Sequence, residues 1–158
     1  MPGSETQILA EASNCVFLDF GGLFVGLFWG DTNATHGELF VEAAETFLST
    51  RQGRHGVLIL VSADSRPPSR ALRQDLVKAI GMLSEGTECY ASVLTGKGVK
   101  ASTLRAIMGA LLMAMPRVSR ARVYSTLEEG IAWCNKHLPL DTDQLLETIE
   151  RYRPARGW

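Results

Sequence analysis

Gly56-Val57-Leu58-Ile59-Leu60-Val61 carries no polar side chain over six residues. So short and wholly apolar a run marks a central strand, buried on both faces of a sheet. The flanking sequence supplies the rest of that sheet. Upstream, Val16-Phe17-Leu18-Asp19-Phe20, then Gly21-Gly22, then Leu23-Phe24-Val25-Gly26-Leu27-Phe28-Trp29 reads as a β-hairpin. Two adjacent glycines supply the positive φ angles of its tight turn. Thr35-His36-Gly37-Glu38 reads as a capping box, opening a helix that carries Leu39, Phe40, Ala43, Phe47 and Leu48 at helical spacing.

Downstream, Ser62-Ala63-Asp64-Ser65-Arg66-Pro67-Pro68 leads into a helix that buries Leu72, Leu76, Ile80 and Leu83. Pro68 suits a first helical position, where its missing N–H costs nothing. Cys89 to Leu94 is a strand, Lys97 to Ser102 a loop, and Thr103 to Met115 a helix that Pro116 stops. Ala121-Arg122-Val123-Tyr124 is a short last strand. Thr126-Leu127-Glu128-Glu129 is a second capping box, before a helix in which Trp133 is expected to be buried against the sheet. The order β-β-α-β-α-β-α-β-α implies parallel crossover units with one antiparallel neighbour, an α/β fold. The domain is expected over 15–138, with 1–14 an N-terminal extension and 139–158 a C-terminal amphipathic helix and tail.

Composition narrows the function classes. The 158 residues suit one domain, and 46% apolar against 21% charged residues excludes a disordered chain. A formal charge of −1 implies no general affinity for nucleic acid. Cys15, Cys89 and Cys134 lack the paired spacing of a zinc site. With no secretory signal, they point to reduced thiols and a cytoplasmic location. The longest apolar stretch, Leu104 to Met115, falls far short of the ~20 residues needed to span a bilayer. Charge is unevenly spread. Residues 1–50 hold seven acids and no lysine or arginine, whereas 89–127 hold six bases and no acid. Either the molecule is an electrical dipole or the two regions neutralise each other.

Four features together resemble one family. They are the hairpin followed by a helix, the Pro67-Pro68-Ser69-Arg70 helix start, the apolar helix ending at Pro116, and the close Val123-Tyr124-Ser125-Thr126-Leu127-Glu128-Glu129-Gly130-Ile131-Ala132-Trp133. Over Cys15 to Leu138 the chain resembles the SpoIIAA-like branch of the STAS superfamily (sulfate transporter and anti-sigma factor antagonist). The resemblance implies a STAS-like mixed sheet with helices mainly on one side. It also implies a non-enzymatic regulatory or protein-interaction module, in bacterial signalling of the anti-sigma-factor-antagonist type. Such modules carry a phosphorylatable serine in an Asp-Ser-Ser-Gly-like turn before the second helix. Here Asp64 and Ser65 match in type, while the second serine and the glycine are replaced by Arg66 and Pro67.

Three places carry candidate chemistry. A phosphate on Ser65 would sit beside Arg66 and Arg70 near the positive end of a helix. The plainer reading is that Asp64 and Ser65 shape a turn. Gly96, Lys97, Gly98, Lys100, Ser102 and Thr103 follow a strand and open a helix, where α/β sheets bind anions, although the loop is not a Walker A motif. Leu104, Ile107, Met108, Leu111, Leu112 and Met115 form a wide apolar face flanked by Arg117, Arg120 and Arg122. Such a face lies on an anionic membrane, lines an acyl-chain pocket, forms a homodimer seam, or simply packs on the sheet.

Catalytic signals are thin. His36, His55 and His137 are scattered, and Cys134 with His137, three residues apart, is the only nucleophile-and-base pairing to consider. No metal, cofactor or catalytic residue is expected. Two readings follow: a regulatory module with a protein partner, or a carrier or sensor of an apolar, anionic, lipid-like ligand held by the third helix and its basic flank.

Overall fold

The computed structural model describes residues 5–51, 53–114 and 120–153. Six strands form one sheet: β1 (Thr6–Ala12), β2 (Cys15–Phe20), β3 (Leu23–Phe28), β4 (His55–Val61), β5 (Thr87–Leu94) and β6 (Ala121–Tyr124). They lie in chain order, with β1-β2-β3 antiparallel and β3-β4-β5-β6 parallel. Gly21 and Gly22 make the hairpin turn at φ 57° and 100°, with Phe20 opposite Leu23. That region is strained for residues bearing a Cβ.

Helices α1 (Ala34–Thr50), α2 (Arg70–Ser84) and α3 (Val99–Ala114) connect the parallel strands. Every step moves one place in the same direction across the sheet. Right-handed crossovers then put all three helices on one face. There Phe17, Phe24 and Phe28 meet Phe40 and Phe47 of α1 in a ring cluster, with Phe17 stacked on Phe40 at 5.1 Å. Ile80 and Leu83 of α2 and Leu112 of α3 continue this layer over Val57, Ile59 and Tyr90.

The opposite face carries Val16, Leu18, Val25, Leu27, Leu58, Leu60, Ala91 and Val93, all fully buried. It is covered by α4 (Leu127–Asn135) and α5 (Thr142–Glu150) through Leu127, Ile131, Cys134, Leu145 and Ile149. Three helices on one side and two on the other make a three-layered α/β fold.

Several local expectations shift. The segment 1–14, read as an extension, contributes β1, whose Glu11 pairs with Val16 and Thr6 with Phe20. Its sequence alternates weakly, and a bulge between Ile8 and Ala10 breaks the period that would have marked a strand. The cap of α1 is Asn33, whose side chain accepts from Thr35 N while His36 Nδ1 accepts from Asn33 N. The cap of α2 is Ser69, so Pro68 stands outside the helix. Thr126 does cap α4, accepting from Glu129 N.

Trp133 is half-buried at the sheet edge. Its indole N–H donates to Arg120 O at 3.1 Å, and the Arg122 guanidinium lies 4.9 Å over its ring. The inward stripe of α4 takes Leu127, Ile131 and Cys134, and residue 133 falls beside that stripe.

Asp19, in the middle of an apolar strand, is held by a forked pair of bonds from Arg51 at 2.8 and 3.1 Å and by Gly22 N at 3.0 Å. The hairpin is thereby tied to the end of α1. Asp31 pairs with Arg66 and Glu88 with Arg54 and Arg120, and none of these pairs joins residues 1–50 to residues 89–127.

Removing residues 139–158 tests the part played by α5. Leu145 and Ile149 are fully buried, and losing two such side chains costs about 3–6 kcal/mol. The truncated chain is expected to unfold at a clearly lower urea midpoint. An unchanged midpoint would show that α5 is no part of the core.

Candidate functional site

The site grows from unequal packing among the three helices on the first face. Gly37 of α1 lets α2 come so close that a methyl group there would sit 2.7 Å from Asp75 Cβ and 3.1 Å from Leu72 Cδ1. α2 and α3, by contrast, barely touch. Between them runs an apolar cleft of about 860 Å³. Its floor is Ile59 and Val61 of β4 with Tyr90 and Leu94 of β5. One wall is Leu72, Leu76, Val77 and Ile80 of α2, and the other is Leu104, Ile107, Met108 and Leu111 of α3. Phe28 and Phe40 close the side toward α1.

Polar groups gather where β4 ends and α2 begins. Pro67 and Pro68 keep the approach to α2 extended, since proline restricts its own φ and the residue before it. Asp64 anchors the turn, its side chain accepting from Gly30 N at 3.2 Å and from the Ser62 hydroxyl. Ser65 N donates to Ser62 O at 3.2 Å, and the Ser65 side chain lines the cleft. Ser65 is only 4% exposed, and its hydroxyl has no hydrogen-bond partner among the described residues. Arg66, Arg70 and Arg73 also border the cleft. Arg66 pairs with Asp31 at 3.1 Å, both side chains being exposed; Arg70 and Arg73 have no ion-pair partner among the described residues.

Tyr90 is fully buried in the floor, with the Ser92 hydroxyl on the same face of β5 as its polar neighbour. Burial pushes the Tyr90 phenol up to about 12, against a smaller opposing pull from the Ser92 hydroxyl.

The structure thus brings together two groups of residues that stand apart in the sequence. Ser65 joins Leu104, Ile107, Met108 and Leu111 in one cleft. Leu112 is instead a core residue, 3% exposed, and Met115 and Arg117 lie outside the described residues.

Arg120 and Arg122 do not flank the apolar face of α3. Strand β6 alternates, so Ala121 and Val123 pack on the α3 side and Arg122 turns to Trp133 on the other face. Arg120 Nη1 pairs with Glu88 at 3.3 Å. The basic rim comes from Arg66, in the turn before α2, and from Arg70 and Arg73 of α2; the sequence places Arg66 and Arg70 beside Ser65, while Arg73 is hidden next to an ordinary apolar stripe. Tyr90 is the other residue missed. Its signal was a lone hydroxyl-bearing aromatic in a strand otherwise fit for a core.

The glycine loop lies apart. Gly96, at φ 104°, packs on Ala63, while Lys97, Gly98, Lys100, Ser102 and Thr103 are exposed and none of them lines the cleft. Arg105 Nη1 donates to the Leu94 and Gly96 carbonyls at 2.9 and 3.1 Å and so holds the loop from below.

Cys134 and His137 are not joined by a hydrogen bond. The Cys134 thiol is buried and points to Val57 O at 3.9 Å, and the His137 ring stands against Trp133. Hydrogen bonding to Cys89 and burial push the Cys134 thiol upward, the opposite of what a nucleophile needs. Among the described residues no three His, Cys, Asp or Glu side chains group to hold a metal ion, and no helix is long and apolar enough to cross a membrane.

Fold and site together describe a mixed α/β module with an apolar cleft under a basic rim. No family model matches the sequence, and no curated protein matches it. The chain is similar to the crystal structure of an uncharacterised protein of the DUF3478 family with a SpoIIAA-like fold from Shewanella loihica PV-4. The TM-score is 0.46 at 12% identity, over 83% of this chain and 93% of that one.

The raised phenol makes stability fall at high pH. The unfolded chain ionises Tyr90 near 10 and the folded chain near 12, so over that interval the unfolded state binds fewer protons and is favoured. The loss is of order 2–3 kcal/mol. Tyr90→Phe should flatten the fall in melting temperature between those pH values. Tyr124, also raised by burial, leaves a residual slope. An equally steep fall in the variant would contradict the buried phenol.

Proposed function

We propose that the chain is a non-enzymatic STAS-type module that works by binding a single-chain anionic amphiphile between α2 and α3. The cleft carries this reading. A volume of about 860 Å³ with apolar walls lies in the range that holds a whole small-molecule ligand. Leaving that surface open to water has no structural benefit, since closing α3 on α2 would bury it. Charge sits where a head group would emerge. Arg66, Arg70 and Arg73 line the same cleft near the first turn of α2, whose free amides favour an anion.

The Ser65 hydroxyl also fits a ligand better than a kinase. At 4% exposure it is sheltered from an attacking enzyme, while the residue itself borders the cleft beside Arg66. A regulatory role through a protein partner rests on a different observation. Val99 and Met113 of α3 are 84% and 89% exposed, an apolar outer side available for docking. Both readings meet if an occupied cleft sets the position of α3.

Calorimetry with oleate and oleyl alcohol separates these ideas. The native chain is expected to bind one oleate. Arg70→Glu with Arg73→Glu should weaken oleate about tenfold or more at low salt, with a smaller effect at high salt, and change oleyl alcohol far less. Ile107→Glu should abolish both by placing a carboxylate in the apolar wall. Absence of saturable binding by the native chain would overturn the reading and leave the protein-partner role.

A further inference from the structure

We infer that the outer surface of α2 and α3 docks on an anionic lipid bilayer, with α3 lying in the headgroup layer. The observation is what α3 turns away from the sheet. Ala101 and Leu112 are buried on its inner side. Val99, Thr103, Ala106, Ala110 and Met113 recur at spacings of four and three, so they share the opposite side, and all five are exposed. None of them is charged. Val99 and Met113 stand at the two ends, about 21 Å apart along the helix. They are 84% and 89% exposed, and Ile107, 58% exposed, lies between them at the border of this side. Large apolar side chains so placed along one helix mark a contact surface.

Charge decides what covers it. Exposed Lys97 and Lys100 flank Val99. On the same face of the sheet α2 presents exposed Arg70, Arg73 and Lys78, with Val77 42% exposed among them. α3 contains no acidic residue, and the acid of α2, Asp75, is half-buried against Gly37 of α1. A second copy docked here would bring these cations against their own kind. An anionic bilayer suits both features at once. Its headgroups attract the lysines and arginines, each worth about fivefold in binding near the surface, and its acyl boundary takes the apolar side chains. Val99 and Met113 project singly from the helix instead of lining a packed pocket, which favours insertion among lipids over the buried anchor of a protein contact. Neither borders the cleft, so this inference does not rest on cleft binding. Where both hold, the bilayer is the source of the amphiphile.

Sedimentation with large unilamellar vesicles tests it, one set of phosphatidylcholine alone and one of equimolar phosphatidylcholine and phosphatidylglycerol. The native chain is expected to bind the mixed vesicles about tenfold or more tightly than the neutral ones, an advantage that shrinks at high salt. Val99→Gln with Met113→Gln should weaken binding to the mixed vesicles about tenfold or more, by removing the inserted side chains. Both positions are exposed, so the melting temperature and oleate binding should stay as in the native chain. Lys97→Gln with Lys100→Gln should cost about tenfold or more on mixed vesicles and less than about twofold on neutral ones. Failure of the native chain to bind mixed vesicles would overturn the inference, whatever the variants do. So would vesicle binding that both pairs of substitutions leave unchanged, or self-association that Val99→Gln with Met113→Gln abolishes, which would give this face to a second copy. A chain that binds vesicles but not oleate would overturn the cleft reading alone.

Discussion

The handedness of the crossover connections governs this molecule more than any single contact. From β3 to β6 the chain advances one strand at a time in one direction, and a right-twisted strand accepts only a right-handed return. α1, α2 and α3 therefore have no choice of side. The other face of β4, with Leu58 and Leu60, is as apolar as the first and cannot remain wet. Whatever follows β6 must cross over to cover it. α4 does so over β4 and β5, and α5 extends the cover with Leu145 and Ile149.

Within the crowded face, the same economy explains the cleft. Three helices share one side of the sheet, and their spacing depends on which pairs can approach. Gly37 removes the side chain that would hold α1 and α2 apart, and the ring cluster around Phe40 fastens α1 to β2 and β3. α2 is thus drawn toward one end of the sheet. α3 is anchored at the other end by Leu112 and by Arg105, which ties it to the end of β5. The gap between them is the remainder. Its walls are apolar because each helix stripe is wider than its sheet contact requires, and its mouth is basic because α2 opens with arginines.

Much of this architecture is legible residue by residue. The apolar run of β4, the paired glycines at positive φ and the Thr126 cap each act through neighbours in sequence, and each appears where local chemistry puts it. Other elements are less visible. β1 has no strong alternation of its own and becomes a strand because β2 offers it an open edge. The α1 cap moved from Thr35 to Asn33 because both residue types can cap, and the reciprocal bond from Asn33 N to His36 Nδ1 decides between them.

By itself the sequence determined the fold class, the order of crossovers and the apolar face of α3, because periodicity and turn chemistry are local properties of the chain. It also marked Ser65 and the residues from Leu104 to Leu111, as unrelated features. Only the tertiary structure decided that they share one cleft, that its cations are Arg66, Arg70 and Arg73, and that Arg120 and Arg122 face away. Which helices meet is set by crossover handedness and by close approach at Gly37, and which way a strand residue points is set by register. These are relations between distant segments, and periodicity within any one of them cannot report them.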